Sequence, residues 1–199
     1  MLAASLPAKA QSPAEPGHFD SYVLALSWSP AWCEGKDDPD QCGPSRFGFV
    51  VHGLWPQYRA GGWPESCAVP TKVPEPVVRD MLPVMPSRKL IEHEWKRHGT
   101  CDGRPAAAYF RDIRQVFDRL AIPEPLRRPT QAQTLSVPEI EQAFSAVNPG
   151  LTGDMLAVTC RGRVLTEIRV CLTRELGFAP CGRGVRDTCK GKVTVVPLK

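Results

Sequence analysis

The order of apolar and polar positions divides the chain into strand-like ends and a helical middle. Two short aromatic-rich apolar runs, Tyr22 to Trp28 and Phe47 to His52, are bounded by Pro and Gly and predict buried strands. Further along the chain, the runs Met155 to Cys160 and Val164 to Leu172 flank Arg161-Gly162-Arg163. These two runs predict a β-hairpin.

Helical spacing is found in the middle of the chain. Ser87 to His98 and Ala106 to Leu120 carry apolar residues at helical spacing, and Ser136-x-x-Glu139 is a capping box that opens a helix toward Val147. A last apolar run, Lys192 to Pro197, predicts an edge strand. Strands at both ends with helices between them predict an α+β fold, in which a central, mostly antiparallel β-sheet carries helices packed on one face.

The composition is that of a single folded domain. With 199 residues, 42% of them hydrophobic, the chain can bury a core, and neither a repeat nor a Gly/Ser-rich linker divides it. We expect this domain to span residues 17–199. Residues 1–16 include the cleavage-like stretch Ala8-Lys9-Ala10 and predict a signal-peptide remnant or a disordered tail. No apolar run reaches the roughly 18 residues of a membrane span, so no membrane partner is expected.

Eight cysteines, none of them spaced C-x-x-C, argue against structural zinc and predict a disulfide-stabilised protein that is periplasmic or secreted. They are Cys33, Cys42, Cys67, Cys101, Cys160, Cys171, Cys181 and Cys189. Spacing alone leaves their pairing open. The net charge of +4 gathers in two basic blocks, residues 79–128 and 160–199, which favour a polyanionic partner, although a solvated surface explains such blocks as well.

The segment IEHEWKRHGTC, residues 91–101, holds two of the four histidines of the chain. On a helix, His93, Glu94, Arg97 and His98 fall on one face about 140° wide. A solvent-facing charged helix is the common explanation of such a pattern. Because histidine is scarce in this chain, two histidines in one segment favour a functional site instead. Because the histidines are five positions apart, the i,i+4 spacing of a zinc-protease helix is absent and no metal is expected.

The segment FGFVVHGLWPQ, residues 47–57, brings a third histidine. We expect a strand that ends at His52, followed by Gly53 and a Trp55-Pro56 corner, to place an imidazole at the end of a sheet beside a stacking surface. A histidine that merely satisfies a strand end explains this segment equally well when it is taken alone. The two histidine segments together indicate an active site.

Three stretches, LSWSPAWC (26–33), HGLWP (52–56) and HEWKRHGTC (93–101), resemble the opening strand and the two active-site segments of the ribonuclease T2 family in its bacterial form. Order, spacing and cysteine placement match over residues 19–199. The resemblance implies a metal-independent, cofactor-free endoribonuclease that cleaves single-stranded RNA through a 2′,3′-cyclic phosphate to a 3′-phosphate. We also expect low base specificity and a monomer without an obligate protein partner.

An alternative on the same fold is a catalytically weak RNA-binding or signalling protein. The presence of both His52 and His98 favours the enzyme, since a binding module needs no acid and base. The resemblance implies that His98 is the general base, that His52 is the general acid and that His93 binds the phosphate. It implies that Glu94 and Arg97 stabilise the transition state, although the family usually has lysine in place of Arg97, so that contact geometry changes while the charge is kept.

The base pockets depart from the family pattern. Trp55 matches the stacking residue of the first pocket, Gln57 replaces an aspartate of some members, and Leu90 stands where the second pocket often has an aromatic ring. These departures predict weak base selectivity, because stacking tolerates any base. Trp63 is expected in the core, with compensating stacking as the alternative, and His18 is assigned no role. The family pattern implies the disulfides Cys67–Cys101, Cys33–Cys42, Cys160–Cys189 and Cys171–Cys181.

Overall fold

A six-stranded sheet forms the centre of the protein, in a computed structural model that describes residues 14–36, 38–43 and 47–198. The strands are β1 (Ser21–Trp28), β2 (Phe49–Gln57), β3 (Gln133–Ser136), β4 (Leu156–Arg161), β5 (Val164–Leu172) and β6 (Lys192–Val195). Their order is β2-β1-β5-β6-β3, and β4 also pairs with β5. The β5–β6 contact is parallel and the other pairings are antiparallel, which confirms the predicted α+β fold with a mostly antiparallel sheet.

Helices connect the strands and pack against the sheet. They are α1 (Ser29–Trp32), α2 (Pro39–Cys42), α3 (Glu75–Met81), α4 (Arg88–Arg97), α5 (Ala106–Arg119), α6 (Glu124–Arg127) and α7 (Val137–Val147). The predicted capping box opens α7, and Ser87 caps the start of α4 by accepting a hydrogen bond from the Leu90 amide. In the described part of the chain, no helix is both long and apolar enough to cross a membrane.

Alternation along β1 separates the core from the site. Tyr22, Leu24, Leu26 and Trp28 are buried in the hydrophobic core, where helices α5 and α7 contribute residues such as Ile113 and Phe144. Because side chains alternate along a strand, the intervening residues Val23, Ala25 and Ser27 point to the opposite face. Val23 and Ser27 each line a cavity there, so this second face is the one that is open to a ligand.

Two strand predictions differ from the structure. Strand β2 continues to Gln57 instead of ending at His52, and it contains Pro56, whose missing amide hydrogen is tolerated because β2 lies at the edge of the sheet. Strand β6, predicted as an edge strand, lies between β5 and β3. Strand β3 forms the edge at this end of the sheet, and its four residues, QTLS, are too few and too polar to show a strand pattern.

Four disulfides fasten the loops to this framework: Cys33–Cys42, Cys67–Cys101, Cys160–Cys189 and Cys171–Cys181. These are the pairs that the family resemblance implies. The pair Cys67–Cys101 joins the loop after β2 to the turn after α4, so it links the two histidine segments. The predicted signal-peptide remnant falls on residues 1–16, of which residues 1–13 lie outside the described residues. Gly17 follows it and donates its amide hydrogen to the carbonyl of Cys101 at 2.9 Å.

Candidate active site

Strand β2 carries His52 into the site on a β-bulge. Ala25 of β1 pairs with Gly53 and Leu26 pairs with Val51, so His52 is an extra residue without a partner on β1. A bulge of this kind re-aims a side chain, and here it turns the imidazole to the same face as Trp55, at a ring-centroid distance of 5.1 Å. The imidazole is therefore presented by a bulge inside a continuous strand, instead of by the strand end that the sequence predicts.

Gly53 is required by the close approach of α4. A Cβ atom at this position would overlap both Glu94 Oε2 and Trp55 Nε1. These two atoms are joined by a hydrogen bond, in which the indole donates to the carboxylate at 2.8 Å. The glycine in the HGLW stretch thus lets a buried carboxylate of the helix reach across the strand to the tryptophan.

Helix α4 presents its ionisable residues in two rows. Glu94 and His98 are buried, with 1% and 8% of their surface exposed, while His93 and Arg97 are exposed. Each row has i,i+4 spacing, as expected for one helix face. The single face predicted from the helical spacing is therefore divided, because α4 packs on β2 and buries only one of the two rows.

His98 is held in its neutral form. It follows the last residue of α4, and its Nδ1 atom is buried and has no hydrogen-bond partner within the described residues. Burial lowers its pKa to about 4, and the positive charges of Arg97, His52 and His93 act in the same direction. A neutral imidazole at mildly acidic and neutral pH can accept a proton.

The surroundings of His52 favour the opposite, charged form of the ring. Its Nδ1 atom lies 2.7 Å from Glu167 Oε1, and its Nε2 atom lies 3.7 Å from Glu94 Oε1. Burial alone would lower its pKa, but the hydrogen bond and charge of Glu167, together with the charge of Glu94, raise it above its usual value. The Glu167 contact also places a proton on Nδ1, so that the second proton of the charged ring sits on Nε2.

Glu94 and Glu167 support His52 unequally. Burial raises the pKa of Glu94, against the charge of His52 and the hydrogen bond from Trp55. Burial opposes the charged form of Glu167 as well, but hydrogen bonds and charges from His52 and Arg169 lower its pKa. Arg169 Nε donates to Glu167 Oε2 at 2.8 Å. Glu167 is therefore the fixed negative charge of the site.

Glu167 and Arg169 are site residues that the sequence analysis missed. On β1, Ser27 lies opposite Glu167 and Ala25 lies opposite Arg169, and these small residues let the β5 side chains reach over β1 toward His52. The available signal was a pair of opposite charges two positions apart in an otherwise apolar strand, since such residues share one face. A buried charge of this kind needs a partner.

The Trp55 indole lies at the centre of the arrangement. The ring of His98 is 5.5 Å away between centroids, and the guanidinium carbon of Arg169 is 5.2 Å from the indole centroid. The indole lines a cavity of about 230 Å³ together with Gln57 and Trp63.

The expectation that Trp63 is a core residue is wrong: 55% of it is exposed, because it stands in a Gly- and Pro-flanked loop instead of a strand or helix.

Arg97 lines the same cavity but already has an anionic neighbour. Its Nη2 atom lies 2.7 Å from Glu65 Oε2, and about half of each side chain is exposed. An ion pair this exposed is weak, because water screens it. Arg97 can therefore exchange the Glu65 carboxylate for another anion that enters the cavity.

Fold and site together define a class of protein: an α+β domain whose two imidazoles have pKa values shifted in opposite directions and lie beside an arginine-lined cavity. The chain belongs to the ribonuclease T2 family, whose sequence model matches residues 19–181. This membership confirms the resemblance and the prediction of an enzyme of the ribonuclease T2 type.

Relatives in bacteria agree with this membership, and a solved plant structure has a similar fold. A ribonuclease of Aeromonas hydrophila is 36% identical over 184 residues, covering 88% of this chain and 81% of the relative. A probable ribonuclease of Haemophilus influenzae is 37% identical over 179 residues, covering 81% of this chain and 61% of the relative. A mutant of ribonuclease MC1, an enzyme of bitter gourd seeds, in complex with 5′-UMP has a TM-score of 0.69 at 23% identity, covering 88% of this chain and 97% of that chain. At this identity, the last comparison concerns the fold.

Proposed function

We propose that residues 17–199 form the catalytic domain of an endoribonuclease that cleaves single-stranded RNA by proton transfer to and from His52 and His98, without a metal or cofactor. One observation carries the proposal. An imidazole whose pKa is lowered by burial and an imidazole whose pKa is raised by neighbouring carboxylates pack against the same indole. A cleavage that needs one base and one acid at a single phosphate finds both there.

In the first step, neutral His98 takes the proton of the ribose 2′-hydroxyl, and the 2′-oxygen attacks phosphorus. The bond from phosphorus to the 5′-oxygen breaks, and the leaving oxygen receives the Nε2 proton of charged His52. The product is a 2′,3′-cyclic phosphate. In the second step the roles reverse: His52 takes a proton from water, the water oxygen opens the cyclic ester, and His98 returns its proton to the 2′-oxygen to leave a 3′-phosphate.

Charge that grows on the phosphate oxygens needs cations close by. Arg97 supplies one by exchanging Glu65 for the phosphate, and His93, exposed one turn before Arg97 on α4, supplies a second contact. Glu94 acts on the acid side, because its carboxylate lies near His52 Nε2 and favours the charged ring. The fork of Arg97 suits two phosphate oxygens better than the ammonium group of a lysine does.

The upstream base enters the cavity beside Trp55. Gln57 and Trp63 line this cavity, and the Gln57 amide already donates to the Pro56 carbonyl at 2.9 Å. Stacking on Trp63 and Trp55 accepts any base, so base specificity is low. The 5′-UMP held by the ribonuclease MC1 mutant supports nucleotide binding on this fold.

We place this enzyme outside the reducing cytosol, in the periplasm or the external medium, and it acts as a monomer. The four disulfides support export, because such bonds persist in oxidising compartments. Single-stranded RNA is the partner that this function requires.

The test is digestion of single-stranded RNA and of the dinucleotide UpA by the purified protein in excess EDTA. We expect chromatography to show the 2′,3′-cyclic phosphate first and the 3′-phosphate later, at rates that EDTA leaves unchanged. Binding of RNA without products would instead favour the RNA-binding alternative. Activity that disappears with EDTA would contradict the proposed chemistry.

A further inference from the structure

A second cavity lies beside His52. Its volume is about 360 Å³, and its walls come from β1, α1, β4 and β5. His52 lines this cavity, whereas His98 lines the cavity beside Trp55. Arg169 lines both, so the two cavities adjoin at the centre of the site. The space is sufficient for a nucleobase and its sugar.

Trp32 forms an aromatic wall of this cavity. Although it lies at the end of α1, next to the buried Ala31, 41% of it is exposed. The ammonium group of Lys36 lies 2.9 Å from the ring centroid, and the Cys33–Cys42 disulfide fixes the segment next to it. An exposed indole in a fixed position is the kind of surface on which nucleobases stack.

Arg161 supplies a positive charge at the same cavity. Its Nη2 atom donates to the carbonyl of Ala31 at 3.3 Å, which holds the guanidinium group beside Trp32. Within residues 14–36, 38–43 and 47–198, Arg161 has no carboxylate partner, in contrast to Arg97 and Arg169. Its remaining donors are available to a phosphate group.

We infer that this cavity binds the nucleotide on the 5′-oxygen side of the cleaved bond, with its base on Trp32 and its own 3′-phosphate on Arg161. The inference rests on the proposed function, because His52 protonates the departing 5′-oxygen and the departing nucleotide must therefore lie on the His52 side. Leu90 provides no stacking ring, so Trp32 supplies the flat surface on this side. The downstream nucleotide is thus bound, contrary to what the sequence departure at Leu90 alone suggests.

The test compares two substrates of the full-length protein. UpA has a downstream nucleoside, whereas 2′,3′-cyclic UMP has none. We expect Trp32→Leu to lower kcat/KM for UpA by about tenfold, as for the loss of a base stack, and to leave hydrolysis of cyclic UMP unchanged. Trp32→Phe keeps a flat ring and should retain most of the wild-type rate on UpA.

A matched control comes from Trp63, which lines the other cavity. Trp63→Leu should slow both substrates, because both contain the upstream uridine. Equal rates of wild type and Trp32→Leu on UpA, or equal losses on both substrates, would overturn the inference. If the proposed function itself is wrong, wild type cleaves neither substrate, and this result is distinct from either of those.

The phosphate contact is tested with UpAp, which carries an additional 3′-phosphate. Wild type should cleave UpAp faster than UpA by about two- to fivefold, the range of an exposed ion pair. Arg161→Ala should abolish this difference. Arg163→Ala, an exposed arginine in the same turn that lines neither cavity, should preserve it. If Arg161→Ala still cleaved UpAp faster than UpA by the wild-type factor, Arg161 would have no part in binding this phosphate.

Discussion

The two histidine regions of the site use the same side chain for opposite tasks. His52 comes from a bulge on an edge strand and has a carboxylate near each ring nitrogen. His98 comes from the end of a helix, with a buried Nδ1 atom that has no partner within the described residues and with cations nearby. The difference shows that the neighbouring elements, more than the residue type, decide which imidazole carries a proton at rest.

This difference fixes the pH range of activity. His98 must be neutral to act as a base, so activity rises as the pH increases through about 4, the lowered pKa of His98. His52 must be charged to act as an acid, so activity falls as the pH increases through its pKa, which lies above the usual value of a histidine. A bell-shaped dependence of kcat/KM with these two limbs is expected.

The largest effect should follow from removing one of the two imidazoles. His98→Ala and His52→Ala should each lower kcat on UpA by about two to four orders of magnitude, because each loses an acid–base group. Lys96→Ala, an exposed position on α4 close to His98, is the control and should be as active as wild type. Circular dichroism checks that the variants are folded. An active His98→Ala variant would contradict the assignment of the base.

The next largest effect should follow from separating the two regions without touching either histidine. The methyl group of Gly53→Ala would collide with Glu94 and the Trp55 indole, and the hydrogen bond that joins β2 to α4 would be lost. A displacement of about 1 Å in a catalytic site costs about a hundredfold in rate, which is the expected loss in kcat. The melting temperature of Gly53→Ala should change little.

Gly177→Ala serves as the control for this substitution. A Cβ atom there would make an ordinary contact of 3.6 Å with Thr173 Oγ1, far in the sequence from either histidine. Wild-type activity of Gly177→Ala with a hundredfold loss in Gly53→Ala would support a local effect. Equal losses in both variants would indicate general sensitivity to the loss of glycine.

The sequence carried more information about the His98 region than about the His52 region. The helical spacing of Glu94, Arg97 and His98 was enough to predict from the sequence that they lie close together. Only their division into a buried and an exposed row depended on packing. His52 depends on Glu167, which is 115 positions away and reaches it across Ala25 and Ser27. Strand pairing over such a distance leaves no local pattern. The bulge at His52 could be recognised only from the observed register of β1 and β2, because the HGLWP stretch alone predicts a strand end.

A smaller and more selective effect should follow from removing the negative charge beside His52. Glu167→Gln keeps an oxygen that can accept the Nδ1 hydrogen bond but loses the charge that raises the pKa of His52. The alkaline limb of the pH profile should move to lower pH while the acidic limb, set by His98, stays in place. The rate near neutral pH should fall by about tenfold for a shift of about one pH unit.

This pH experiment has an independent readout, because nuclear magnetic resonance follows the titration of the His52 ring directly. Glu175→Gln, an exposed position outside both cavities, is the matched control and should reproduce the wild-type profile. A shift of both limbs in Glu167→Gln, or of neither, would contradict the view that the two imidazoles are tuned separately.

The smallest effect concerns Arg97, which belongs to the His98 region but is held by Glu65. In Glu65→Ala the guanidinium group no longer has to exchange a carboxylate for the phosphate, so KM should fall by about two- to threefold, within the energy range of an exposed ion pair. The melting temperature should hardly change. Because mobile ions screen exposed charges, the difference in KM should shrink at high salt. A higher KM in Glu65→Ala would mean that Glu65 positions Arg97 instead of competing for it, and the His98 region would then depend on a carboxylate as the His52 region does.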